Sequence, residues 1–134
     1  MKLLEATDAR TLNDWMRLPW SIYRNDTNWI PHLMQDVEKV FDTEKNKLFR
    51  TDPASGKAGT AIRWVVYNDA GSPIGRIAAF INPKTAWTEK QPTGGIGFFE
   101  CIDDQAAADL LFDTAREWLQ GVAETVPGAE PQPI

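Results

Sequence analysis

The sequence predicts an α+β domain, with helices packed on a mixed, largely antiparallel sheet in the order β-α-α-β-β-β-α. Three observations lead there. Apolar residues recur at helical spacing through the first third of the chain. The period then drops to two, in consecutive runs joined by a turn signal. A last strand-like run passes directly into a helix with a broad apolar face.

Each element follows from local chemistry. "KLLEA" (Lys2 to Ala6) reads as a short first strand. Thr7 or Asp8 caps a helix whose apolar residues Leu12, Trp15 and Met16 share one face. Pro19 is expected to end or kink that helix, with "PWSIYR" restarting it. After the turn-rich "NDTN", the segment "WIPHLMQDVEKVFD" places Ile30, Leu33, Val37, Val40 and Phe41 on a second helical stripe. "RTDPASGKAG" (Arg50 to Gly59) has no periodicity and is expected to be a mobile loop. "TAIRWVVYN" and "PIGRIAAFIN" are strands joined by "DAGS", a hairpin signal. Ile62, Trp64 and Val66 oppose Ala61, Val65 and Tyr67, so both faces are apolar and both should be covered. A loop rich in Pro and Lys leads to "IGFFECI". The closing helix, from about Asp104 to Gln120, turns Ala107, Leu110, Leu111, Ala115, Trp118 and Leu119 to one side. Residues 1–120 therefore read as one domain, and 121–134 as a Pro-rich tail.

Composition narrows the function. A chain of 134 residues is long enough to bury about two-thirds of its unfolded surface in one core. The net charge of −5 is unevenly placed: residues 1–60 carry nine basic and nine acidic side chains, residues 61–134 five and ten. An acidic chain lacks the basic face that nucleic acid and anionic membranes require, so neither is expected as a partner. No apolar run approaches the roughly 20 residues that span a bilayer. The single cysteine, Cys101, excludes an internal disulfide and suits a cytoplasmic location. With one His and one Cys, a Zn site of N/S ligands is not expected.

The segments "LPWSIYRNDTNWIPHLMQDV", "KNKLF", "AIRWVV", "GRIAAFIN" and "TGGIGFFECIDDQAAADLLFDTAREWL" resemble a group of uncharacterised bacterial GNAT-like proteins. GNAT denotes the acyl-CoA-dependent N-acetyltransferase superfamily, and the element order is that of its N-terminal half. The resemblance runs from about Leu18 to Leu119. It implies an acetyl-CoA cofactor held by the fourth strand and the helix that follows. Phe98, Phe99, Cys101 and Ile102 would then lie along the pantetheine arm, and Asp103, Ala106 and Ala108 at the pyrophosphate turn. It also implies that Glu100, on that strand, takes the proton from an acceptor amine. Longer relatives continue into further strands, so the chain is expected to be a truncated form. Its last strand, 96–102, would then lie at an open edge covered either by the tail from Val122 or, as the commoner solution, by a second copy of the chain, making a homodimer.

Several of these residues have plainer readings. In "DDQAAA", Asp103 and Asp104 put carboxylates where phosphate oxygens would sit, and two unit charges 4 Å apart repel by roughly 1 kcal/mol even in bulk water. An Asp at a helix start commonly caps the free N–H groups itself. The structural reading of Glu100 pairs it across the sheet with Arg63 or Arg76. Cys101 leaves the opposite face of the strand and reads as a small buried apolar residue. His32, after Pro31, reads as packed or capping. Trp15, Trp20, Tyr23, Trp29 and Trp64 would line a groove between helices and sheet, or simply fill the core. "TGGIG" precedes its strand, where a phosphate loop follows one, so it reads as a strand start with a bulge. Two functions stand open: a GNAT-like N-acetyltransferase domain, and a non-catalytic binding or assembly domain that self-associates through the strand edge.

Overall fold

The computed structural model of the chain describes residues 1–31, 33–53, 56–83 and 94–124. The elements are β1 (Lys2–Glu5), α1 (Ala9–Ile22), α2 (Met34–Val40), a 3-10 turn (Lys47–Phe49), β2 (Thr60–Tyr67), β3 (Pro73–Ile81), β4 (Gly95–Cys101) and α3 (Gln105–Glu124). The predicted β-α-α-β-β-β-α order is present. The four strands form one sheet in the order β1-β2-β3-β4. Each of its three pairings is antiparallel. The expected mixed sheet thus has no parallel pair among the described strands, because β2, β3 and β4 succeed one another without a crossover helix between them.

The sheet separates two cores. On one face α3 lays Ala107, Leu111, Ala115 and Leu119 against Trp64, Val66, Ile77, Ala79 and Ile81. On the other, Trp15 and Met16 of α1 and Val37 of α2 meet Val65, Tyr67 and Ala78. Double-sided apolar strands are therefore covered on both sides. Gly75 lets α3 sit close: a Cβ there would lie 2.8 Å from Leu111 Cδ1. In the β2–β3 turn Gly71 takes φ +84° and donates its N–H to the Asn68 carbonyl, a conformation costly for other residues.

The ends of the helices show where local rules yield. Asp8 and Thr11 cap α1 reciprocally: the Asp8 carboxylate accepts the Thr11 N–H at 2.8 Å, and Thr11 Oγ1 accepts the Asp8 N–H at 3.2 Å. Pro19 does not break α1, which runs to Ile22 with the proline inside it. The second helical stripe is shorter than its apolar spacing suggests. Pro31 disfavours helical backbone at Ile30, Leu33 is extended as the N-cap residue, and the helix starts only at Met34. The Arg50–Gly59 segment is not wholly irregular, since Thr51 bridges Ala58 in antiparallel fashion. His32, the loop residues 84–93 and the tail from residue 125 lie outside the described residues.

Candidate functional site

The site is built around an irregularity in β4. Arg76 pairs with Glu100 and Ala78 with Gly97, so Phe98 and Phe99 together oppose Ile77. This is a β-bulge, and Phe98 adopts φ 56° within it. It falls just after the "TGGIG" stretch from which a bulge was expected. A non-glycine residue with positive φ costs energy unless its surroundings hold it.

The hold comes from Arg76 and Trp15. Arg76 is 1% exposed, and its Nε donates to the Phe98 carbonyl at 3.1 Å. Its Nη1 donates to the Trp15 carbonyl at 2.9 Å, and its guanidinium lies 4.2 Å from the Trp15 ring centroid. That carbonyl is available because its usual helical donor is residue 19, a proline without an N–H. The Trp15 indole N–H donates to the carbonyl of Ile77, the residue that the bulge leaves without a β4 partner. Burial brings the pKa of Arg76 down to about 10, against the opposing charge of Glu100, so it stays a cation at neutral pH.

Glu100 stands on the α1 side of β4, where the Tyr23 hydroxyl donates to its Oε2 at 2.5 Å. That hydrogen bond, reinforced by burial, raises the phenol pKa above its ordinary value and keeps Tyr23 a donor. Trp29 stacks on Tyr23 with ring centroids 5.3 Å apart, and Trp20 meets Trp29 edge-on at 5.5 Å. The expected ion pair is absent: among the described residues Glu100 has no basic nitrogen within 4.0 Å. Arg76 is its cross-strand neighbour but spends its donors on backbone carbonyls. Arg63 lies over Phe41, 4.0 Å from the ring centroid, and over Trp15 at 5.4 Å.

The sequence placed Tyr23 among the groove or core aromatics but not against Glu100, because the helix was expected to end or kink at Pro19. Carried past the proline, the stripe 15, 19, 23 would have placed it under the sheet beside β4. The proposed tryptophan groove divides. Trp15 is fully buried, Trp64 meets Trp118 on the opposite face, and only Trp20 and Trp29 gather near Tyr23.

The other predicted residues separate by face. Phe98 packs toward α1 and α2, and Cys101 packs against the α3 core. Burial, with the Asp104 charge behind it, pushes the Cys101 thiol pKa up, which suits an inert residue. Phe99 is 37% exposed and stacks on Phe112 with centroids 4.4 Å apart. Ile102 is exposed, and its N–H donates to the Ile74 carbonyl at 3.0 Å. Asp104 caps α3, accepting the Ala107 N–H at 3.1 Å. Asp103 and Ala106 are exposed and Ala108 half-buried around it. Among the described residues no cluster of three or more His, Cys, Asp or Glu could hold a metal ion. A cleft of about 500 Å³ opens elsewhere, between α1, α2 and β2, where Met34, Glu38, Phe41 and Arg63 line it.

No family model matches the sequence. Over 126 residues it is 30% identical to the bacterial ceramide synthase of Caulobacter vibrioides, covering 93% of this chain and 31% of that protein. It is also 30% identical over 109 residues to Protein YghO of Escherichia coli, covering 81% of this chain and 26% of that protein. The chain thus spans between a quarter and a third of the curated relatives it matches. In structure it is similar to an acetyltransferase of the GNAT family from Staphylococcus aureus Mu50. The TM-score is 0.55 at 11% identity, covering 90% of this chain and 66% of that one. The fold is GNAT-like. Among the described residues, no helix is long and apolar enough to cross a membrane.

Proposed function

We propose that this chain is a GNAT-like N-acyltransferase domain in which Glu100 takes the proton released by an acceptor amine. The observation that carries this reading is the Tyr23–Glu100 hydrogen bond beside the β4 bulge. Acylation of an amine by a thioester forms a C–N bond, breaks a C–S bond and leaves a surplus proton on nitrogen. A carboxylate whose orientation is fixed is well suited to receive it. Tyr23 occupies Oε2, leaving Oε1 as the acceptor. A relative that aligns along most of this chain and is named a ceramide synthase supports the assignment. A ceramide is itself the product of amine acylation.

An acyl-CoA would supply the activated acyl thioester. The two halves of its expected site fit it unequally. Along Phe98 to Ile102, β4 pairs with β3 on one side only among the described strands, and its other edge suits an extended amide chain such as a pantetheine arm. The start of α3 does not suit a pyrophosphate. Asp104 already accepts the Ala107 N–H, Asp103 is exposed beside it, and the Gln105 amide is tied to Asp109 at 2.8 Å. A donor held by its pantetheine arm, with the phosphates outside this turn, reconciles the two.

Glu100→Gln is expected to lower the rate of amide formation about a hundredfold, the usual worth of a positioned base. Its circular dichroism should be unchanged. An unaltered rate would remove Glu100 from the chemistry. The second reading, an assembly domain, draws on a different observation: Ile96, Phe99, Ile102 and Phe112 leave an apolar patch at the open β4 edge, each at least 37% exposed. A second copy of the chain is the proposed cover for it.

A further inference from the structure

Arg63 makes no ion pair with Glu100, and its surroundings give it no other counter-charge in contact. Its guanidinium lies over Phe41, 4.0 Å from the ring centroid, and over Trp15 at 5.4 Å. Those two rings meet edge-on at 5.3 Å, so the cation rests on a fixed aromatic floor. Arg76 spends its donors on two carbonyls. The side-chain N–H groups of Arg63, by contrast, make no hydrogen bond and no ion pair among the described residues. Burial brings its pKa down from the ordinary value, against the charge of Glu38, so the cation is only partly solvated.

The cleft of about 500 Å³ between α1, α2 and β2 opens onto this guanidinium, with Leu12, Met16, Met34 and Phe41 as apolar walls. Its other charged groups are committed or exposed. Asp42 caps its own turn, accepting the Glu44 N–H at 2.9 Å and the Lys45 N–H at 3.2 Å. Arg17 Nε donates to Asn13 Oδ1 at 3.0 Å. Glu38 is exposed and has no ion pair within 4.0 Å among the described residues.

We propose that this cleft binds a small monocarboxylate with an apolar body, its carboxylate on the Arg63 guanidinium and its body against Leu12, Met16 and Met34. A guanidinium over an aromatic ring keeps its in-plane N–H groups for a carboxylate fork. The cleft has the size of a small-molecule site. Arg17 and Arg63 balance Glu38 and Asp42, so a phosphate dianion meets as much repulsion as attraction. A single carboxylate gains the fork and the apolar contact together. The site stands apart from Glu100, since β3 separates β2 from β4, and the proposal does not depend on the N-acyltransferase reading.

The probe is 3-phenylpropionate, with the neutral 3-phenylpropanamide as the control for charge and inorganic phosphate as the control for the apolar body. Of the three methionines, Met16 and Met34 line the cleft and Met1 lines a different hollow. Their methyl resonances therefore report on place as well as affinity. Titration with 3-phenylpropionate should shift Met16 and Met34 to saturation and leave Met1 unmoved. The acid should bind about tenfold tighter than the amide, the worth of a hydrogen bond to a charged group. Phosphate at the same concentration should move neither methyl. Arg63→Gln should abolish the preference for the acid. Glu38→Gln, at an exposed position, should tighten the acid about threefold by removing a competing charge. If Arg63→Gln does not fold, the comparison of acid with amide on the wild-type chain still decides. Equal affinity for acid and amide overturns the proposal. So do shifts at Met1 as large as those at Met16 and Met34, or a response to phosphate equal to that to the acid. None of these outcomes bears on the role of Glu100.

Discussion

Arg76 carries much of the architecture of the site in one side chain. It is buried, it has no carboxylate within 4.0 Å among the described residues, and two carbonyls depend on it. Arg76→Met should therefore cost about 3 kcal/mol, because it leaves the Trp15 and Phe98 carbonyls without donors and removes little hydrophobic volume. Urea denaturation measures this directly. The two tyrosines give a pH prediction. Tyr23 is raised chiefly by its bond to Glu100, and Tyr67 by burial and its bond to Asp14. Both folded pKa values exceed the unfolded one of about 10. The stability they confer is complete below pH 10 and falls as pH climbs toward their folded values. Absorbance at alkaline pH should show neither phenol ionising at the ordinary value while the protein stays folded. At this scale the sequence was least legible. The structural reading gave Glu100 an arginine partner, because charge complementarity is visible in a sequence and the Tyr23 hydroxyl from another element is not.

At the scale of elements, Pro19 and the β4 bulge are two defects that complete each other. The proline frees the Trp15 carbonyl, the bulge leaves Ile77 without a cross-strand partner, and Trp15 with Arg76 joins the two. This coupling is measurable. Pro19→Ala restores an N–H beneath the Trp15 carbonyl, so it should relieve part of the loss in Arg76→Met. A double-mutant cycle should give a coupling energy of about 1 kcal/mol in that direction, and strict additivity would refute the arrangement. The strands were legible because alternation on both faces has one physical meaning, a sheet covered on both sides. The start of α2 was not. Ile30 and Leu33 match the helical phase of Val37, but the constraint that Pro31 places on the preceding backbone outweighs the spacing.

At the scale of the whole molecule, β4 has no strand partner on its outer side among the described residues, and Ile96, Phe99, Ile102 and Phe112 are exposed there. Natural sheets seldom leave such an edge bare. For the 134-residue chain we expect a dimer by sedimentation at micromolar concentration, dissociated by Phe99→Lys, which puts a charge into the patch without entering either core. A monomer with rapid amide exchange along β4 would exclude the contact. The fold class was legible at this scale because order and periodicity suffice to define it. What lies on the outer side of β4 was not, since local order and periodicity carry no information about it.

The sheet order repeats the chain order, β1 to β4, and this bears on time. The β2–β3 hairpin closes across a short turn and is the cheapest contact to form first. Trp15 and Arg76 can engage only after α1 has docked on β3 and β4 has bulged against it. Their bonds are therefore expected to form late, after the rate-limiting step. Removing them should leave the speed of folding almost unchanged and shorten the lifetime of the native state. The same staple that shapes the site acts as a latch on the finished molecule.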